Sequence, residues 1–354
     1  ALKYTGFKQV GFRVNTSGRK GIFEFGENFF FTKSKTSNLT GNPWANFIAM
    51  PPTIPVYDAA HRGGWGYGDP DRANTYALNP VAQNEILHGD TSQQYLYGDI
   101  FGKVDIVPGI LNAKVNFSYK NYFGETSTLR KKGNWTMGQG DDAAYISYST
   151  AKHDKILVEP TLNYAQKIGK NDISAVAGYS YDFFHEEYRG ETKLDPLVIG
   201  DKYITSFNSA TGTQTCTGSY IEHILMSYFA RVNYSFDDRY LIQLTGRRDG
   251  TSRLPKTTRW SSFGSVSLGW RISNEKFFNV DWIDDLKIRA NLGTLGNTNI
   301  GAWDYQATIN TAPRAIMNGD NLVLGMTQSN LTNNDLVWER KTTANVGVDF
   351  TALK

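Results

Sequence analysis

One cysteine in 354 residues leaves the chain without an internal disulfide, and Cys216, in the polar segment 213–219, reads as an inert thiol. No run of about 20 apolar residues exists, which excludes a transmembrane helix. Charged residues are scarce at 20%, against about a quarter in ordinary soluble domains. The net charge of +3 is spread without blocks. The clustered Lys/Arg face of a nucleic-acid-binding protein is therefore missing, and no nucleic acid partner is expected. Helical periodicity is almost absent. Enzyme signatures such as G-x-S-x-G, H-E-x-x-H or a P-loop do not occur, which argues against an enzyme. The Ala1-Leu2-Lys3-Tyr4 start lacks the layout of a signal peptide, and the other end stops inside a strand pattern. The first leaves either an intracellular chain or part of a longer one, and the second favours the latter.

What is abundant is aromatic side chains (14%), 34 glycines and many Asn, Ser and Thr. These residues fall into long alternating runs. Leu111, Ala113, Val115, Phe117 and Tyr119 oppose Asn112, Lys114, Asn116 and Ser118. Ile224, Met226, Tyr228, Ala230, Val232, Tyr234 and Phe236 oppose His223, Ser227, Arg231, Asn233 and Ser235. Soluble strands average about 5–6 residues. Alternation over ten or more suits a tilted strand crossing a bilayer, apolar outward and polar inward. The mean hydropathy of −0.43 does not oppose this, because lumen and loops are polar.

The stretch 247–270 is the richest. Asp249-Gly250 reads as a turn between two alternating strands. Beyond it Val266, Leu268, Trp270 and Ile272 share one face, and Ser265, Ser267, Gly269 and Arg271 the other. Connection lengths alternate along the whole chain. Val107-Pro108-Gly109, Ile168-Gly169-Lys170-Asn171 and Asp237-Asp238 are tight, whereas about 35–94, 123–152, 188–219 and 295–337 are long. Short periplasmic turns and long extracellular loops are the habit of outer-membrane barrels. Parity then requires residues 142–150 to extend the strand at 153–166. This gives 11 membrane strands, and it puts the Asp249–Ser252 turn outside the cell. The expected fold is all-β: a transmembrane antiparallel up-and-down β-barrel. Residues 1–354 form part of one barrel domain, about half the wall of a 22-stranded class.

Arg247, Arg271, Arg289 and Lys341 are expected to face the lumen. Interfacial girdles are expected from Tyr119, Tyr122, Phe183, Phe184, Tyr234, Phe236, Tyr240, Trp270, Phe277, Phe278, Trp282, Trp338 and Phe350. The loop aromatics Trp44, Tyr57, Trp65, Tyr67 and Tyr76, with Asp71 beside them, are the candidate substrate-binding residues. Ring planes next to carboxylates and amides stack on sugars or grip a peptide, although loop aromatics also pack on themselves. The Gly63–Gly68 run lacks a strand-to-helix context and reads as a flexible aromatic loop. The five histidines have no metal-ligand spacing, and His185-Glu186-Glu187 reads mainly as a solvated strand end. No metal or cofactor is expected. The weak exception is Ca2+ at Asp69, Asp71 and Asp90, which lack EF-hand spacing.

Taken in order, several stretches carry a family resemblance. They are residues 50–58 (M-P-P-T-I-P-V-Y-D), 79–82 (N-P-V-A), 248–253 (R-D-G-T-S-R), Arg259-Trp260 and 263–275 (F-G-S-V-S-L-G-W-R-I-S-N-E). Residues 282–290 (W-I-D-D-L-K-I-R-A), 293–297 (G-T-L-G-N), 335–339 (D-L-V-W-E) and 345–350 (N-V-G-V-D-F) follow. The chain resembles SusC/RagA-type TonB-dependent outer-membrane transporters of Gram-negative bacteria. That resemblance implies an outer-membrane location, a 22-stranded barrel, an N-terminal plug and a TonB-box. It implies a SusD-like surface lipoprotein as lid, a homodimer of the pair, and energy from TonB with ExbB/ExbD. The implied ligands are oligosaccharides or peptides. Plug and TonB-box have no counterpart in these residues. The alternative is a receptor or adhesin barrel that displays ligand-binding loops without transport. A barrel enzyme and soluble β-sandwich repeats fit less well.

Overall fold

A computed structural model describes residues 5–39, 43–70, 75–137, 143–311, 314–317 and 321–352. Eleven strands form one sheet, and every neighbouring pair is antiparallel and consecutive along the wall. In chain order they are β1 (Gly6–Lys20), β2 (Phe23–Leu39), β3 (Leu87–Val107), β4 (Leu111–Arg130), β5 (Tyr145–Ile168) and β6 (Asn171–Leu194). β7 (Gln214–Phe236), β8 (Tyr240–Thr251), β9 (Trp260–Arg271), β10 (Ile283–Asn297) and β11 (Glu339–Ala352) complete it. Strands β3 to β7 run 20–24 residues, whereas β8 and β9 have 12 each. Residues 145–150 continue into the 153–166 segment as one strand, as parity required. The strands reach further than the alternation alone suggested, so the first long loop narrows to 40–86 and the second to 131–144.

Turns explain why one end is tight. Gly21, Gly109 and Gly169 take left-handed backbone, as do Asp237 and Asp238 at φ 53° and 52°. Two successive positive-φ residues at the centre of the turn, closed by the Arg239 amide on the Phe236 carbonyl at 2.9 Å, reverse the chain with a twist that matches the flanking strands. The two aspartates are offset by cations. Lys170 Nζ and Arg239 Nη2 each lie 2.8 Å from Asp237, and Arg271 pairs with Asp238. Adjacent turns are thus riveted to one another.

Asp249 and Gly250 are not a turn. Both sit inside β8, opposite Ser261 and Trp260 of β9, and the connection is residues 252–259. Arg247 Nε holds the Asp249 carboxylate at 2.6 Å. A Cβ on Gly250 would lie 2.6 Å from the Trp260 indole, so this glycine serves ring packing rather than chain reversal. The loop does lie at the end opposite the tight turns, as expected for the extracellular side.

Registers place the two chemistries on opposite faces. Val232, Leu244, Val266 and Leu292 stand side by side across β7 to β10, and Tyr234, Ile242, Leu268 and Ala290 form the next row. The other face carries Asn233, Gln243, Ser267 and Asn291 in register. Along β6 the apolar face runs from Ile173 to Phe183 and then turns to His185 and Glu187. That is about the 9–11 residues a tilted strand needs to cross a bilayer. Arg247, Arg289 and Lys341 lie on the polar face. Arg247 also donates to Ser227 at 2.8 Å, and Arg289 meets Asp349 at 3.1 Å.

The girdle is smaller than expected. Tyr119, Phe183, Tyr234, Phe236, Tyr240, Trp270 and Phe350 lie on the apolar face, and Phe277 and Trp282 pack against Trp270 and Phe350. Tyr122 and Phe184 are one residue out of phase and face the lumen, because a one-residue step flips a strand side chain. Trp338 is buried with Leu254 and Phe263 beneath the extracellular loops.

Candidate functional site

The extracellular end is a packed crown rather than a set of free loops. In the 40–86 loop, α1 (Pro43–Ala49) and α2 (Pro80–Ile86) are single short helices. Asn79 caps α2: its Oδ1 accepts from the Val81 and Ala82 amides at 3.1 Å each. Its Nδ2 donates to the carbonyls of Val56 (3.0 Å) and Gly66 (2.7 Å). Asn followed by Pro at the first helical position is a helix-start signal. Sequence reading missed it, because the helix is too short to show periodicity. Ala82, Ile86, Leu87 and Trp135 form the core that joins this loop to the 131–144 loop.

The candidate loop aromatics divide into two groups. Trp65 packs against that core and sits 5.0 Å from the Tyr57 ring. Tyr67 stacks on His61 at 4.2 Å. The carbonyl oxygen of Pro55 lies 1.8 Å from where a Cβ on Gly66 would be, so the Gly63–Gly68 run is tightly built. In contrast Trp44, Tyr57 and Tyr76 are 67%, 68% and 72% exposed. On α1, Trp44, Phe47 and Ile48 form one exposed apolar stripe. The structure does not gather the six candidates around a single cavity, and Asp71 lies outside the described residues.

Nor do the loop carboxylates converge. His61 presents Nε2 to Asp69 at 3.3 Å and Nδ1 toward Asp58 at 3.7 Å. Asp90 is part of β3, held by Lys35 (2.9 Å) and Ser37 (2.7 Å). His185 and Glu187 face away from Glu186, which meets His153 at 3.7 Å. Among the described residues no group of three or more His, Cys, Asp or Glu is placed to hold a metal.

Over β7 to β11 the polar face and the loops enclose a groove of about 980 Å3. Arg231, Gln243, Arg247 and Asn291 line its floor, and Phe263 and Trp338 its outer end. Arg253 donates to the Ile300 carbonyl (3.1 Å), Thr258 to that of Leu336 (2.6 Å) and Trp338 to that of Arg259 (2.9 Å). The 248–260 marker residues therefore knit two extracellular loops over the groove.

An antiparallel wall with one lipid-compatible face, one polar face, tight turns at one end and a loop crown at the other is that of an outer-membrane β-barrel. Residues 23–353 match the family described as TonB dependent receptor-like, beta-barrel. The chain belongs to that family, and it is part of an outer-membrane protein. Its family comprises receptors and transporters rather than enzymes. It is 29% identical over 354 residues to the TonB-dependent receptor SusC of Bacteroides thetaiotaomicron, covering 93% of this chain and 34% of that protein. It is 29% identical over 289 residues to TonB-dependent receptor P39 of Formosa agariphila, covering 78% and 26% respectively. The chain thus spans about a quarter to a third of these relatives. The solved RagAB peptide transporter shares the fold: TM-score 0.76 and 21% identity, over 98% of this chain and 39% of that one.

Proposed function

We propose that the receptor containing this wall imports oligosaccharides or peptides across the outer membrane by TonB-dependent opening of a plugged pore. A SusD-like surface lipoprotein closes over the loop crown, the pair dimerises, and TonB with ExbB/ExbD supplies the pull. The observation that carries this is the polar, charged lumen face running up to a crown that holds exposed rings. The polar groove beneath the loops offers a ligand side chains on the lumen side of the wall. Trp44, Tyr57 and Tyr76 are the loop residues free to touch a ligand or lid. Trp65 supports Tyr57, Tyr67 is stacked on His61, and Asp71 is a ligand contact by its place in the sequence. The partner reading is supported by the relatives: the chain is similar to a TonB-dependent receptor SusC, and RagAB is by its description a peptide transporter.

Deleting the gene in its host should abolish growth on one class of oligosaccharide or peptide. Affinity purification of the tagged receptor should bring down a lipoprotein. Unchanged growth on every polymer, with cell adhesion lost, would establish the adhesin reading instead.

A further inference from the structure

The lumen face carries a belt of rings that the loops do not account for. Phe30 of β2 lies 6.0 Å from Tyr95 of β3. Tyr95 is the register partner of Tyr122 on β4. Tyr122 lies 5.1 Å from His153 of β5, which is 6.3 Å from Phe184 of β6. Phe184 is 4.8 Å from His223 of β7. Six consecutive strands each contribute a half-buried ring. Five inter-strand spacings of about 4.8 Å make a track roughly 24 Å long.

Its height follows from the faces. Asn121, Asp154, His185 and Glu222 are the next-door residues on the outer face, and there the apolar band gives way to polar side chains. The track is therefore level with the outer membrane surface, at the mouth of the lumen. Charged groups border it. The Arg13 guanidinium sits 5.1 Å over Phe30 and the Lys120 ammonium 5.4 Å over Tyr97. Lys155 pairs with Asp182 at 2.7 Å and Glu186 faces His153.

We propose that this belt is a saccharide-binding track, on which the C–H faces of successive sugar rings stack while the bordering side chains hydrogen-bond their hydroxyls. It rests on the importer reading and names its substrate as an oligosaccharide. In register on six successive strands, these half-buried rings present one continuous face to the lumen. Aromatic walls with a few oriented polar groups are how small-ligand sites are built. With both edges of β2 to β7 consumed by neighbouring ladders at this level, the wall offers a ligand side chains alone, and these are ring faces bordered by mixed charges.

The test uses the full-length receptor purified in detergent. It is titrated with linear oligosaccharides of glucose, xylose, mannose, galactose and their uronates, and with a mixed peptide library. At least one oligosaccharide should bind. Tyr122→Ala with Phe184→Ala should weaken it by at least about tenfold, the loss of two ring contacts. Tyr122→Phe with Phe184→Tyr should retain binding, and so should Tyr179→Ala with Tyr228→Ala on the outer face. Folding is checked by heat-modifiable gel migration. If the double-alanine chain fails that check, Tyr95→Ala and His153→Ala singly are read in its place. Absence of oligosaccharide binding, or a folded variant within about twofold of the parent, overturns the track. A receptor that imports peptides and ignores sugars sinks the track and leaves the importer standing. Sugar binding lost with the rings, in a host whose growth ignores the deletion, does the reverse.

Discussion

Placing an arginine at Leu244 tests the assignment of the two faces most directly. Leu244 is 52% exposed and stands between Val232 and Val266. It is four residues from Tyr240, where the periplasmic aromatics begin. At about 3.3 Å per residue and a strand tilt near 40°, it lies roughly 10 Å into an apolar band about 25 Å tall. An arginine near mid-depth on a lipid face costs about 2–4 kcal/mol, less whatever its side chain recovers by reaching toward the headgroups. This corresponds to a folded-to-unfolded ratio lowered roughly thirty- to nine-hundred-fold. Gln243→Arg, one residue away, enters the lumen beside Asn233 and Ser267 and should change stability by only about 0.5 kcal/mol. The assay is urea unfolding of the full-length receptor in lipid vesicles, read by heat-modifiable migration. Equal tolerance of the two substitutions would refute the two-solvent argument, and a worse outcome for Gln243→Arg would reverse it.

Three other outcomes are expected. Gly250→Ala sets a methyl against the Trp260 indole and should cost about 1–3 kcal/mol by overpacking, seen in the same unfolding assay. Asn79→Ala removes a helix cap and leaves two carbonyls without their donor; a local loss of about 2–3 kcal/mol should appear as proteolysis of the 40–86 loop with the barrel intact. In the tight turns, hydrogen bonds from Lys170 hold the Asp237 carboxyl below its ordinary range, and those from Tyr240 and Trp270 do the same for Glu275. Folded-state values below the unfolded ones mean that this stabilisation is present above the ordinary carboxylate range and lost as pH falls through the depressed values. Protection factors of the amides at 236–240 and 272–276, corrected for the intrinsic pH dependence of exchange, should therefore fall on acidification below about pH 4 and stay level between pH 6 and 8.

Much of the wall was legible because a strand between lipid and water must alternate. Eleven strands, their order and the joining of 145–150 to the next segment all follow from alternation and loop parity. The misreadings share one cause. Asp249-Gly250 has turn composition, but its glycine answers to a ring across the ladder, which no local pattern displays. Tyr122, Phe184 and Trp338 were assigned to the girdle by type, when phase decides the face. Among the loop candidates, Trp65 and Trp44 look alike in sequence. Only the core built by Ala82, Ile86 and Trp135 shows that one is scaffold and the other exposed. The lumen track was hidden for a related reason: its rings are separated by up to 65 residues along the chain, between Phe30 and Tyr95, and only register aligns them.

The unequal strand lengths have a consequence for the rim. Strands of 20–24 residues in β3 to β7 outreach the 12 of β8 and β9. Ten extra residues raise a tilted strand by roughly 25 Å. The described rim is therefore uneven: on one flank the sheet itself rises and carries the 40–86 and 131–144 loops, and on the other the short strands end at 252–259, where the height is made up by the 298–338 loop packed over them.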